Sequence, residues 1–182
     1  MKLEVEQKHR ADDPAALEKL LAARGVAIGP PEVQSDRYFA HPARDFARTD
    51  EALRIRTIGD RSFVTYKGPK IDQTTKTRRE LELPLDSGDA DGALFGQLLA
   101  ALGFSPVAAV RKVRRKFQID SDGLSVEGAL DAVDDVGTFV ELEIVAADDG
   151  LDRARRAIAR LAEELALGPS ERRSYLELLL ER

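Results

Sequence analysis

Hydrophobic and polar positions alternate with a period of two over eight stretches of the chain: 2–9, 32–39, 52–58, 62–68, 76–84, 109–119, 123–131 and 137–145. That period predicts β-strands with one apolar and one polar face. Hairpin signals join several of them. Gly59-Asp60 separates one pair, Asp120-Ser121-Asp122-Gly123 another, and Asp134-Asp135-Val136-Gly137 a third. Four further stretches carry a helical period. The first opens at Asp12-Asp13-Pro14, carries Leu17, Leu20 and Leu21, and stops at Gly25. The second runs from about Asp91 to Leu102, with Leu94, Phe95, Leu98, Leu99 and Leu102 facing inward and Gly103 as terminator. The third spans about 151–167, and the fourth starts near Pro169-Ser170. Residues 40–51 and 69–75 read as loops.

The polar faces of the strands are unusual. They read Glu4, Glu6, Lys8; then Arg54, Arg56; then Lys67; then Lys76, Arg78, Glu80, Glu82; then Lys112, Arg114, Lys116; then Glu127, Asp131; and Glu141, Glu143. A solvated sheet face mixes charged residues with Thr, Ser and Gln. Same-sign neighbours on one face repel unless something lies between them. The leucine stripes of the helices need the apolar strand faces for burial. The charged faces are thereby left pointing inward. The expected fold is therefore α+β: an eight-stranded antiparallel barrel or tunnel, polar inside, with helices packed outside. One domain spans 1–182.

A charged interior is costly when empty, so it points to a charged ligand. Lys8, Arg54, Arg56, Lys67, Lys76, Arg78, Lys112 and Arg114 suit phosphate oxygens. Glu4, Glu6, Glu80, Glu82, Asp131, Glu141 and Glu143 are hard oxygen ligands. There is no cysteine and there are only two histidines, which favours Mg²⁺ or Mn²⁺ over zinc. Cations together with clustered carboxylates are the apparatus of phosphoryl or nucleotidyl transfer on a polyphosphate. There is no Walker-type loop, so side chains would hold the phosphates.

Composition narrows the partners. The chain has 182 residues, is 43% hydrophobic and 34% charged, and carries a net charge of −5. This excludes a disordered chain and argues against a nucleic-acid coat. The basic run Arg111-Lys112-Val113-Arg114-Arg115-Lys116 is split between two faces by alternation, so it does not read as a nucleic-acid patch. No apolar run reaches transmembrane length, the start shows no signal-peptide core, and cysteine is missing; the expected compartment is the cytoplasm. His9 points opposite to Lys8 and reads as an outer packed or solvated histidine. His41 reads as loop chemistry. Tyr38 and Phe39 read as core, with stacking on a ligand ring as the alternative. Arg44 and Asp45 read equally as a lid or as a surface ion pair.

The same residues resemble a known family. Glu4-Val5-Glu6-Gln7-Lys8 has the form ExExK. It is followed in order by Asp36-Arg37-Tyr38-Phe39, Leu53-Arg54-Ile55-Arg56, Tyr66-Lys67-Gly68 and Lys76-Thr77-Arg78-Arg79-Glu80-Leu81-Glu82. Then come Lys112-Val113-Arg114, Asp131, Phe139-Val140-Glu141-Leu142-Glu143 and Ser174-Tyr175-Leu176. This ordered set resembles the CYTH superfamily, or triphosphate tunnel metalloenzymes, and within it the class IV adenylate cyclase branch. The resemblance implies a Mg²⁺- or Mn²⁺-dependent enzyme acting on a small-molecule triphosphate, with ATP converted to cyclic AMP and pyrophosphate. Hydrolysis of inorganic tripolyphosphate or of an organic triphosphate of the thiamine triphosphate type is the alternative. A non-catalytic module binding polyphosphate or nucleotides is the second. The resemblance further implies that Glu4 and Glu6 form one metal pair and Glu141 and Glu143 another, with Asp131 nearby. It assigns Lys8, Arg54, Arg56, Lys67, Lys112 and Arg114 to the triphosphate cradle, with Lys76 and Arg78 as further basic contacts. Glu80 and Glu82 read as partners of the arginines, with metal linkage as the alternative. The family is compatible with a homodimer.

Overall fold

The computed structural model describes residues 2–70, 77–85 and 88–182. Eight strands form one antiparallel, strongly curled sheet: β1 (Lys2–Arg10), β2 (Glu32–Ala40), β3 (Ala52–Ile58), β4 (Arg61–Lys67), β5 (Glu80–Leu85), β6 (Ser105–Ser121), β7 (Leu124–Val133) and β8 (Gly137–Ala147). Their spatial order is β1-β8-β7-β6-β2-β3-β4-β5. A bridge between Glu4 and Arg78 draws the first edge strand toward the segment that leads into β5, with backbone N–H to O distances of 3.4 and 3.3 Å. The sheet thus wraps a tunnel, and the fold is α+β, as the alternation predicts. No helix among the described residues is long and apolar enough to cross a membrane.

The hairpins use the turn chemistry read from the sequence. Gly59, Asp122, Gly123, Asp135 and Gly137 all take positive φ, which Asp and Gly tolerate. Register sets the faces. In β1, Leu3 and Val5 are buried in the outer core while Glu6 and Lys8 line the tunnel. A slip of one residue would exchange the two faces.

Helices α1 (Pro14–Ala23) and α4 (Leu151–Glu164) cover the outer face of β1, β6, β7 and β8. Asp13 caps α1 by accepting the Ala16 N–H at 3.0 Å, and Pro14 occupies the first turn. α4 buries Ala154, Ala157, Ile158, Leu161 and Ala162, one stripe at helical spacing, against Val5, Val140 and Leu142. Ile158 and Leu161, fully buried there, each contribute about 1.5–3 kcal/mol.

Three elements differ from the expectation. α3 (Gly88–Ala101) turns Phe95 and Leu99 inward, but Leu94, Leu98 and Leu102 are 63%, 50% and 62% exposed. The reason is its glycine face. A Cβ on Gly92 would meet Ser62 Oγ at 2.8 Å, and one on Gly96 would touch Ile55 and Phe39 at 3.7 Å. Close approach through Gly92 and Gly96 rotates the leucine row outward. The final helix, α5 (Tyr175–Leu180), starts later than Pro169. The residues before it run along β1 instead: Ser170 bridges His9, and the Glu171 N–H donates to the Lys8 carbonyl at 2.6 Å. The loop 40–51 contains a single helical turn, α2 (Phe46–Thr49), capped by Asp45.

Candidate active site

A cavity of about 570 Å³ runs through the sheet's concave side. Glu4, Glu6, Lys8, Arg54, Arg56, Lys67, Arg78, Lys112, Arg114, Glu141 and Glu143 all line it, with Glu80 and Glu82. Strand pairing brings them together. Glu6 lies opposite Glu143 and Lys8 opposite Glu141 across β1 and β8. Lys67 lies opposite Glu80 across β4 and β5, and Arg114 opposite Asp131 across β6 and β7. Lys76 falls outside the described residues. Asp131, a metal candidate by sequence, lies fully buried, with its oxygens committed to cations.

Two buried carboxylates organise the basic wall. Asp36, on β2 opposite Arg56, accepts Arg56 Nε at 2.7 Å and Nη2 at 2.7 Å, and Arg54 Nη1 at 3.1 Å. Burial alone would raise its pKa, but the Arg54 and Arg56 guanidiniums outweigh burial and hold it well below the usual carboxylate range. Asp131 accepts Arg114 Nε at 2.7 Å and Nη2 at 2.5 Å, the Tyr175 hydroxyl at 2.8 Å, and Lys112 Nζ at 3.4 Å. Arg114 also donates to Glu141. Burial, with Arg114 and Arg56 nearby, brings the Lys112 pKa down to about 7 even though Asp131 pulls it up. A phosphate group beside it would restore its charge.

Another wall is acidic. Burial pushes the Glu4 carboxyl up from its ordinary value, helped by its hydrogen bond with Glu80 and the Glu143 charge, against Lys67. Glu143 is pushed up by burial and by Glu6, Glu127 and Glu141, again against Lys67. Lys67 pairs with Glu80 and lies 3.7 Å from Glu4. Glu80 is thus held mainly by a lysine, with Arg54 at 3.9 Å, and Glu82 accepts the Thr65 hydroxyl at 3.0 Å. Among the described residues no three His, Asp or Glu side chains converge as a ready metal cage. The donor set nevertheless fits a hard divalent cation. It is all oxygen, and burial first, then crowding by neighbouring carboxylates, favours protonation of Glu4 and Glu143. A dication relieves that crowding where a proton otherwise must.

Of the remaining candidates, Tyr38, Phe39, His41, Arg44 and Asp45 also line the cavity, and His9 does not. His9 is buried on the outer face, its Nδ1 2.7 Å from the Gly168 carbonyl. His41 Nδ1 accepts the backbone N–H groups of Ala43 and Arg44, each at 3.0 Å, and its ring packs on Phe46 and Phe104. Arg44 pairs with Glu51 at 2.9 Å rather than with Asp45, which caps α2. Tyr38 and Phe39 are buried in separate hydrophobic clusters. The basic run divides as expected: Lys112 and Arg114 turn into the tunnel, while Arg115 turns out to Glu18 at 2.7 Å.

Asp36, Thr65 and Tyr175 received no site role from the sequence, yet each contacts a cavity residue. Asp36 is the most legible of them. It falls in phase with Tyr38 on β2, two residues before it, so its direction follows once the strand's inner face is chosen.

A family model described as CYTH domain matches residues 2–175. A Methanocaldococcus jannaschii protein named "putative adenylate cyclase" is 36% identical over 179 residues, covering 97% of this chain and 98% of its own length. A protein of Pyrococcus horikoshii with a solved structure is 39% identical, with a TM-score of 0.85 and 98% of each chain covered. A Hippeastrum protein, described as a "putative adenylyl cyclase" that reveals a dominant triphosphatase activity, shares the fold at a TM-score of 0.68. It is 18% identical, with 100% of this chain and 96% of that one covered.

Proposed function

The chain belongs to the CYTH family, and from that premise we propose that it is a metal-dependent enzyme converting ATP to cyclic AMP and pyrophosphate. The observation that carries this reading is the pairing of opposite walls in one cavity. Arg54, Arg56, Lys112 and Arg114 are held on one side by Asp36 and Asp131. Glu4, Glu6 and Glu143 lie together on the other, and Glu141 joins the two by accepting from Arg114. An anion-binding module needs only the first wall. The second wall supports catalysis.

In the cyclase reaction the ribose 3′-hydroxyl loses its proton to solvent, its oxygen bonds to the α-phosphorus, and the bond from that phosphorus to the oxygen bridging to the β-phosphate breaks, releasing pyrophosphate. Charge builds on the departing pyrophosphate. Preformed cations facing that charge lower the barrier because they need no reorganisation when it develops. Asp36 and Asp131 serve this by fixing the guanidinium forks before the ligand arrives. Lys8 and Lys67 act as point charges along the same path. Glu4, Glu6, Glu141 and Glu143 are the residues that would hold Mg²⁺ or Mn²⁺, which when bound neutralises phosphate charge and activates the attacking oxygen. Asp131 belongs with the cations rather than with this group, because its oxygens already accept from Arg114, Lys112 and Tyr175.

Hydrolysis of tripolyphosphate or of an organic triphosphate is the second reading. It uses the same walls with water as nucleophile, and the Hippeastrum fold-mate's dominant triphosphatase activity favours considering it. The two are separated by incubating the purified protein with ATP, and separately with tripolyphosphate, in Mg²⁺ or Mn²⁺. Cyclic AMP and pyrophosphate are expected from ATP. Orthophosphate alone would replace the cyclase reading with the hydrolase one. Binding without either product would leave a binding module.

A further inference from the structure

The C-terminal segment reaches the basic wall from outside the sheet. Tyr175 is the first residue of α5, directly after Ser174. The Ser174 hydroxyl accepts the Glu177 N–H at 3.1 Å, and the Glu177 carboxylate accepts the Ser174 N–H at 2.5 Å. This capping box fixes the direction in which Tyr175 leaves the helix. Its ring packs edge-on against Phe139, with centroids 5.1 Å apart. The Lys8 ammonium lies 4.1 Å from the ring centroid and the Lys112 ammonium 5.1 Å. The hydroxyl donates to Asp131 at 2.8 Å.

Lys8 and Lys112 come from β1 and β6, two strands that β8 and β7 separate in the sheet. One side chain therefore ties together cations that the strand register does not connect. Both lysines are nearly sealed, at 1% and 3% exposure, so their charge has lost most of its water. Asp131 already reaches Lys112 at 3.4 Å, and a second carboxylate between the lysines would add negative charge where a phosphate must bind. An aliphatic group would stabilise nothing. An aromatic face attracts an ammonium through its quadrupole while carrying no charge of its own.

We propose that Tyr175 is the positioning residue of the cradle, with its ring holding Lys8 and Lys112 and its hydroxyl holding Asp131. The purpose assigned to it rests on the triphosphate reading of the cavity; the clamp geometry does not. The neighbouring backbone joins in, since Lys8 also donates to the Arg173 carbonyl.

The test compares wild type with Tyr175→Phe and Tyr175→Leu at a temperature where thermal melts show all three folded. Tripolyphosphate affinity is read by calorimetry, and the ε-proton shifts of Lys8 and Lys112 by NMR. Tyr175→Phe keeps the ring and should bind within about fivefold of wild type. Tyr175→Leu should bind roughly ten- to thirtyfold more weakly, the size expected for desolvated cation–π contacts. Ring-current shifts should move the lysine ε-protons upfield in wild type and in Tyr175→Phe; in Tyr175→Leu they should vanish for Lys112 and shrink for Lys8, which still has Phe139 at 5.4 Å. Folded Tyr175→Leu binding as tightly as wild type overturns the proposal. So do unshifted lysine protons in the wild type. Shifted lysine protons in a wild type that binds no triphosphate sink the triphosphate reading instead, and the two failures stay distinct.

Discussion

Asp36 and Asp131 do similar work from different strands: each is a carboxylate beneath two cations that would otherwise repel. Such pairs add little to stability compared with apolar packing, but removing one partner strands buried charge. Asp36→Asn should therefore cost about 3–5 kcal/mol in denaturant unfolding, because Arg54 and Arg56 lose their counter-charge. Saturating tripolyphosphate should recover part of that loss in the variant, since the anion replaces the missing charge and binds only the folded state. A loss that tripolyphosphate leaves untouched would mean Asp36 braces the fold and not the cradle. At this scale the charged residues of the strands were legible because each lies two positions from the next. Asp36 was harder. Gln34 separates it from the next acid in phase, Glu32, and Tyr38 follows it, so no unbroken same-sign run marks that face. Tyr175 was out of reach, because its partners Lys8, Lys112, Asp131 and Phe139 lie on other elements far along the chain and no local period connects them.

Strand boundaries were readable to within a few residues, since the period of two, the turn residues and the apolar phase all agree. The helices were less so, and α3 shows why. Its sequence offers two candidate inward rows: Leu94, Leu98 and Leu102, or Gly92, Phe95, Gly96 and Leu99. Hydrophobicity favours the first. The close approach that glycine permits favours the second, and close approach wins because it lets Phe95 and Leu99 reach Phe39 and Ile55. The consequence is asymmetric. Leu99→Ala should cost about 2–5 kcal/mol, as a buried leucine does. Leu98→Gln, at a half-exposed position, should change stability by less than about 0.5 kcal/mol. Chemical denaturation of the two variants checks the assignment, and comparable losses would return the leucine row to the core. The late start of α5 has a similar origin. Pro169 is a good first helical residue by local preference, but the edge of β1 takes residues 170 and 171 for its own backbone pairing.

For the molecule as a whole, curling the sheet places its acidic and basic walls within one cavity and makes stability depend on what occupies it. The acidic wall sets the sign of the pH response. Glu4 and Glu143 titrate above their ordinary value of 4.5 in the folded protein, first because they are buried and then because neighbouring carboxylates crowd them. Between that value and the raised one, the folded state binds more protons than the unfolded state. Stability must fall as pH rises through this window. Lys112 acts in the opposite sense only higher up. Its folded pKa of about 7 lies below the ordinary 10.5, so above pH 7 the unfolded state holds the extra proton and stability gains with pH. The melting temperature of the protein without added metal should accordingly decline from pH 5 to pH 7. A divalent cation at the carboxylates substitutes for the protons and should flatten that decline. Glu143→Gln, which cannot ionise, should lessen it without metal and leave the part that Glu4 contributes. Scanning calorimetry of wild type and Glu143→Gln, each with and without Mg²⁺, separates the contributions. A decline that is equally steep in all four samples would place its source away from the acidic wall. A decline lessened by the substitution and removed by the ion would identify that wall as the place where metal binding and folding are linked.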